Sequence, residues 1–388
     1  MPNKKKVRRF SSFINNKLDY ILLVDILLLL ALGVVMVLSA SAPSSLVEND
    51  NSYVYFRKQA ICAVIGIAAM MFISKIDYRF YKKYYWIIYF VSVVILLLVL
   101  VPGLGKSANG ANRWIKIPVL GQFQPSEITK IGLIIFYAGY LTDHKKELNS
   151  FKTGFAYPMF WLIWPVAILY FVQNHLSASL VMGTVTSVMM LMAGTKMIYF
   201  IEAGAMAIAL GSLVMIKKAT GGESSDDNFR LDRIKTFFDP WSDASGTGYQ
   251  MIQSLYAIGS GGLFGVGLGQ SKQKYLYIPE PQNDFIFAIL AEELGFIGCT
   301  FVIILFAIFV WRGIVISIKA DDMFGSLMAI GITTLVGIQV IINIAVVTAS
   351  IPTTGMPLPF FSYGGTALLI LLASCGVLLN ISRSTSKI

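Results

Sequence analysis

Charge is what this chain has least of. Asp, Glu, Lys and Arg make up only 13% of its 388 residues, against 56% hydrophobic ones. A soluble protein so built would lack the charged side chains that keep a surface wet, so most of this surface must face lipid. Histidine is nearly missing. The two present, one of them in a basic loop, exclude a His/Cys metal cluster of ordinary spacing, so no metal site is assigned. No cofactor is assigned either, although composition leaves room for a divalent cation held by carboxylates. The three cysteines (Cys62, Cys299 and Cys375) fall inside apolar runs, where they read as small buried hydrophobes and not as a disulfide framework. The chain also lacks a G-x-G-x-x-G turn opening a βαβ unit, which removes the ordinary signature of a nucleotide site.

What fills the sequence is long apolar runs. Ten are long enough to span a bilayer or nearly so, at roughly 20 helical residues each. They cover about 20–42, 60–74, 86–101, 126–142, 158–172, 176–194, 198–216, 284–311, 325–349 and 364–381. None alternates polar and apolar residues as barrel strands do. The expectation is an all-α polytopic membrane protein of about ten transmembrane helices, with a large extracellular loop, 217–283, between helices 7 and 8. The opening Lys4-Lys5-Lys6 and Arg8-Arg9, followed by an apolar stretch and Ser39–Ala42, imitate a secretory signal. That stretch is about 22 residues, beyond the usual 7–15 of a cleaved signal, and reads as a retained first span.

A net charge of +10 invites a nucleic-acid reading, but the positions argue for topology instead. With the N-terminus in the cytoplasm, 18 of the 31 Lys/Arg fall on interior segments. Of the 13 others, seven lie in the 67-residue loop, which is too long to count under the positive-inside rule. The chain is therefore expected to have a cytoplasmic basic N-terminus (1–19), a single membrane domain (20–381) and a cytoplasmic C-terminus (382–388). It is expected to cross a membrane many times, with no nucleic acid as partner. The external loops combine Gly, Pro and aromatics with a few fixed charges, which suits segments that fold back and line a cleft.

Asp284 is the residue on which function turns. It stands where a polar loop, Tyr277 to Asn283, gives way to unbroken apolar sequence. A helix cap and a reacting group both fit that position. A helix N-terminus favours the ionised form, and an ionised carboxylate open to water suits a general base acting on a hydroxyl. Glu127 and Lys130, three residues apart after Gln124-Pro125-Ser126, share one helix face; they form either a structural ion pair or a charge pair facing an internal groove. Glu292 and Glu293 lie roughly 12–14 Å deeper along the same span as Asp284, too far for a close catalytic pair, and are expected to pair with another span. In the large loop, Arg230, Arg233, Lys235, Lys272 and Lys274 flank the glycine-rich run Gly259–Gly269, which permits close backbone approach to a headgroup. A compact loop with a solvated charged face fits equally. His175, in a tight turn between spans, reads as a local hydrogen-bonding residue, and Asp25, Lys196 and Glu202 as members of structural pairs.

In these motifs the chain resembles the SEDS family of bacterial cell-wall proteins (RodA, FtsW and SpoVE), most in the manner of the FtsW/SpoVE branch. The resemblance covers essentially all ten spans and is densest in Gly248–Gly259, Pro279–Phe287, Glu292–Gly295 and Pro357–Gly365. It implies a peptidoglycan glycosyltransferase that polymerises lipid II at the outer face of the membrane, with a class B penicillin-binding transpeptidase as partner. It also implies that Asp284 is the essential aspartate, and that Arg113-Trp114 and the Glu127/Lys130 pair belong to the substrate site. Arg233 and Lys272 join that site as candidate phosphate-facing cations. One departure is local: many relatives have Pro-Asp-Leu-Gly-Thr where this chain has Asn174-His-Leu-Ser-Ala178. A lipid II translocase and a scaffold that activates a transpeptidase are the rival readings. A carrier would need polar groups through the full depth of the membrane, whereas here they gather at one face.

Overall fold

The computed structural model describes residues 18–101, 105–108, 111–117, 121–204, 236–244, 246 and 248–384. Its principal helices are α1 (Tyr20–Asn49), α2 (Val54–Ile73), α3 (Tyr85–Leu97), α4 (Pro125–Asp143), α5 (Tyr157–Ala167), α6 (Leu176–Ala193), α7 (Tyr249–Gly261), α8 (Ile286–Lys319), α9 (Met323–Val347) and α10 (Gly365–Arg383). Among the described residues, seven helices are long and apolar enough to cross a membrane; α5 reaches that length with π-helical turns at both ends, over Lys152–Val172. The expected run 198–216 continues beyond the described residues after 204. α7 is a short amphipathic helix of the large loop, buried along Met251, Ile252, Ser254, Ala257 and Gly261.

Two helix ends differ from the sequence reading. α1 runs seven residues past Ala42, through Pro43; beside the proline, Ser41 Oγ donates to the Val37 carbonyl at 2.7 Å and Ser44 Oγ to that of Ser41 at 3.1 Å. α8 starts at Ile286, two residues after Asp284, and continues to Lys319. The first external loop also holds a feature that a purely helical reading omits, a three-stranded antiparallel sheet: β1 (Gly105–Ala108), β2 (Ala111–Ile117) and β3 (Gly121–Phe123), in that order, with a bulge at Lys106/Ser107.

The central packing joins α4, α6 and α9 to one another, α2 to α10, and α1 to α8, which in turn lies along α9. α8 is broken at Gly295 (φ 65°, ψ −167°), and the backbone groups freed there pair with the loop behind α7. The Val266 and Gly267 N–H groups donate to the Glu292 and Glu293 carbonyls at 3.0 and 3.1 Å. The Phe296 and Ile297 N–H groups donate to the carbonyls of Gly262 and Leu263 at 2.9 and 3.1 Å. A β-carbon on Gly265 would come within 2.1 Å of the Glu293 carbonyl oxygen, so only glycine fits there. Backbone that leaves the helical ladder inside a membrane must find such partners, because lipid offers none. The glycine run thus brings its backbone against a broken helix.

At the bundle end opposite the sheet, side chains fasten the helices. Asp19 caps α1 through Leu22 N–H (3.1 Å) and takes Arg312 Nε at 3.0 Å. Asp322 caps α9 through Gly325 N–H (2.8 Å) and takes Arg79 Nε and the Tyr78 hydroxyl, each at 2.9 Å. Asn380 of α10 bridges the Tyr78 N–H and the Ser74 carbonyl.

Candidate functional site

Asp284 lies half-buried in the turn 281–285 at the sheet end. The N-cap position of α8 falls on Phe285, which has no polar side chain to cap with, so Asp284 stands just outside the helix beside its partial positive charge. A second segment, 350–363, is sewn to this turn. Tyr363 N–H donates to the Gln282 carbonyl at 2.8 Å. Ser362 Oγ donates to the Asn283 carbonyl at 2.7 Å and accepts from Leu358 N–H at 2.7 Å. Asn343 Nδ2, on α9, donates both to the Asp284 carbonyl and to the Met356 carbonyl, each at 2.7 Å. The carboxylate rests on Gly355, which holds φ +67°; a β-carbon there would lie 3.3 Å from Asp284 Oδ2.

The carbonyl of the preceding residue, Thr354, accepts from Ser177 Oγ on α6 at 2.6 Å. Ser177 belongs to the turn that carries His175, and this turn is where Arg113 arrives from β2. Arg113 Nε and Nη2 donate to the carbonyls of Gln173 and Asn174 at 3.0 and 2.6 Å, closing the C-terminal end of the helical run that ends at Val172. His175 Nδ1 accepts from Ala178 N–H at 3.1 Å and so caps α6, the local role its position suggested. With Nδ1 accepting, the proton sits on Nε2, 3.4 Å from the Gln124 amide, which meets it with its oxygen once turned end for end. Burial, with the Arg113 and Lys130 charges beside it, pushes the imidazole down to about 3, so it stays neutral between two cations.

Lys130 is buried, and its Nζ donates to Glu127 Oε1 at 2.8 Å across one helical turn. It lines a void of about 10 Å³ with Leu133, Met182, Val185, Thr186 and Leu335, at the meeting of α4, α6 and α9. The structure therefore brings Arg113, Glu127, Lys130 and His175 together, and ties the His175 turn to Asp284 through Ser177, Thr354 and Gly355. Trp114 is half-buried next to Arg113 on β2. Lys272 is exposed, and its backbone N–H donates to Glu292 at 2.9 Å. Arg233 lies outside the described residues.

Glu293 pairs with another span, as expected, and also with the large loop, whereas Glu292 pairs with the loop instead. Glu293 accepts from Ser39 of α1 (2.6 and 2.7 Å) and from Lys274 Nζ (2.9 Å). Glu292 accepts from the Ser271 hydroxyl and from the N–H groups of Lys272 and Gln273. Ser271 and Lys274 are themselves buried, so the loop is pinned to the bundle at 271–274 ahead of Asp284. Sequence reasoning missed Ser177, Asn343 and Gly355. Asn343 carried a usable signal, an amide inside an otherwise apolar span.

The model of the cell cycle protein family FtsW/RodA/SpoVE matches residues 20–387. The stage V sporulation protein E of Bacillus subtilis (strain 168) is 42% identical over 94% of this chain and 97% of its own length. The probable peptidoglycan glycosyltransferase FtsW of Geobacter sulfurreducens is 38% identical over 98% of this chain and 97% of its own. A chain of a solved peptidoglycan synthase complex, described for the coordination of polymerization and crosslinking, matches with TM-score 0.78 and 26% identity over 95% of this chain and 98% of that one. The rod shape determining protein RodA of Thermus thermophilus shares the fold, with TM-score 0.67 at 24% identity over 96% of this chain and 98% of that one.

Proposed function

The chain belongs to the FtsW/RodA/SpoVE family, and on that premise we propose that it is a peptidoglycan glycosyltransferase polymerising lipid II, with Asp284 as the general base. The observation that carries this reading is the seat of Asp284: at the mouth of α8, outside the helix and held by the segment 350–363. The Arg113–Lys130 cluster joins it through the Ser177 turn. The excess of Lys/Arg on the segments opposite the sheet supports a cytoplasmic position for that end and an outward-facing site.

The reaction is an inverting displacement. The 4-hydroxyl of an acceptor GlcNAc gives its proton to the Asp284 carboxylate as its oxygen bonds to the anomeric carbon of the donor MurNAc. The bond from that carbon to the pyrophosphate breaks, and the polyprenyl pyrophosphate leaves with the electron pair. Arg113 and Lys130 offset the charge growing on the leaving group, and Glu127 holds Lys130 in place. Arg113 reaches that task already braced by two carbonyls, which limits the motion of its guanidinium. Trp114, Lys272 and Arg233 are assigned to substrate contact on the outer surface. A class B penicillin-binding transpeptidase is the proposed partner, and a single membrane domain over 20–381 the proposed unit.

Lipid II incorporated in the outer leaflet of proteoliposomes alone tests the class of activity, because a polymerase makes glycan strands there and a translocase does not. Asp284→Asn should lose about 10²–10⁴-fold in strand formation, the usual contribution of a general base. Strand formation by that variant at the wild-type rate would remove Asp284 from the chemistry.

A further inference from the structure

We infer that Asn343 is a positioning residue for the proposed base, setting the Asp284 carboxylate against Gly355 by fixing two backbone segments to each other; this rests on the reading of Asp284 given above. Asn343 sits on α9 and is 1% exposed. Both hydrogens of its amide are used: one on the Asp284 carbonyl and one on the Met356 carbonyl, each at 2.7 Å. These carbonyls belong to different segments, one at the head of α8 and one in the loop 350–363, and they flank the contact between Asp284 and Gly355. The planar NH₂ fixes the angle between its two hydrogen bonds, so the separation of the two segments is set by one side chain. The other stitches, from Ser362 and Tyr363, hold Asn283 and Gln282, one and two residues ahead of Asp284.

The rest of the amide argues for the same task. Asn343 Oδ1 is buried with no hydrogen-bond partner among the described residues. An unsatisfied buried oxygen in a membrane helix costs stability, and an apolar side chain would avoid that cost. Turning the amide around would aim the oxygen at two carbonyl oxygens, so the donor assignment is forced. The helix therefore carries a locally unfavourable group whose one visible return is the geometry at Asp284.

A double-variant cycle on the purified full chain with lipid II tests this. A misplacement of the base of about 1 Å is worth on the order of 10²-fold in rate, so Asn343→Leu should lower kcat by about that factor and leave KM for lipid II unchanged. If Asn343 acts through Asp284, adding Asn343→Leu to Asp284→Asn should cause little further loss of kcat, whereas a general packing defect would lower the double variant again. Near wild-type kcat in Asn343→Leu, or a multiplicative loss in the double variant, overturns the inference. Where Asn343→Leu does not accumulate, Asn343→Ser, too short to span both carbonyls, goes through the same cycle. Failure of both variants to accumulate assigns Asn343 to folding and also overturns it. Asp284→Asn alone distinguishes the two levels. Full activity there sinks the base, while an inactive Asp284→Asn beside a fully active Asn343→Leu sinks only the positioning.

Discussion

The two ends of the bundle use aspartate differently where a helix begins. At the basic end, Asp19 and Asp322 each give one oxygen to a helix N–H and the other to an arginine. At the sheet end, Asp284 stands ahead of α8 while the cap position passes to Phe285. Asp19 and Asp322 each hold a helix start and an arginine at once, which makes them structural. The local sequences hardly differ, an acid followed by an apolar run, and the register of the helix start separates them.

The largest effect expected from this contrast is catalytic. Asp284→Asn should cut glycan polymerisation by about 10²-fold or more with its thermal midpoint held, while Asp322→Asn should leave turnover per folded molecule unchanged. Equal losses of stability in the two variants would erase the distinction. Next comes stability at the basic end. Asp322→Ala removes a cap worth about 1 kcal/mol, together with its partnership with Arg79, and should lower the unfolding midpoint in detergent.

Asp25 should respond in the opposite sense. It is 3% exposed, and both of its carboxyl oxygens lack hydrogen-bond partners among the described residues. Replacing it by leucine should stabilise the protein by about 1–3 kcal/mol without altering turnover. A destabilised Asp25→Leu would show that the acid has a structural use at this end after all.

The smallest effect concerns His175, a structural residue within the functional end. Its folded form stays neutral down to about 3, whereas an unfolded histidine takes up a proton near 6.5. Between those values the unfolded state binds the extra proton, so stability falls as pH falls. His175→Asn keeps a capping oxygen and does not titrate. Its melting temperature should drop less than the wild type's between pH 7.5 and pH 5.

The spans were legible because a bilayer imposes a run length, and Asp284 because a carboxylate beside such a run is conspicuous. The sheet was not, since strands of three to seven residues form by pairing and leave little local pattern. The docking of 262–274 was hidden for a related reason. Its first contacts with α8 are backbone to backbone, marked by the glycines at 265 and 295, and the later ones use the carboxylates of Glu292 and Glu293. The capping role of His175 could be read from its turn, but its place between Arg113 and Lys130 depends on three segments far apart in the chain. Asn343 was visible as a polar residue in an apolar helix, although its two partners were not.

The break at Gly295 has a practical corollary for anyone modifying the large loop. Between 262 and 274 the chain is anchored at both ends, first on the opened turn of α8 and then on the carboxylates of Glu292 and Glu293. An epitope tag or added residues there would have no slack to take up, and would drag the tether that leads into Asp284.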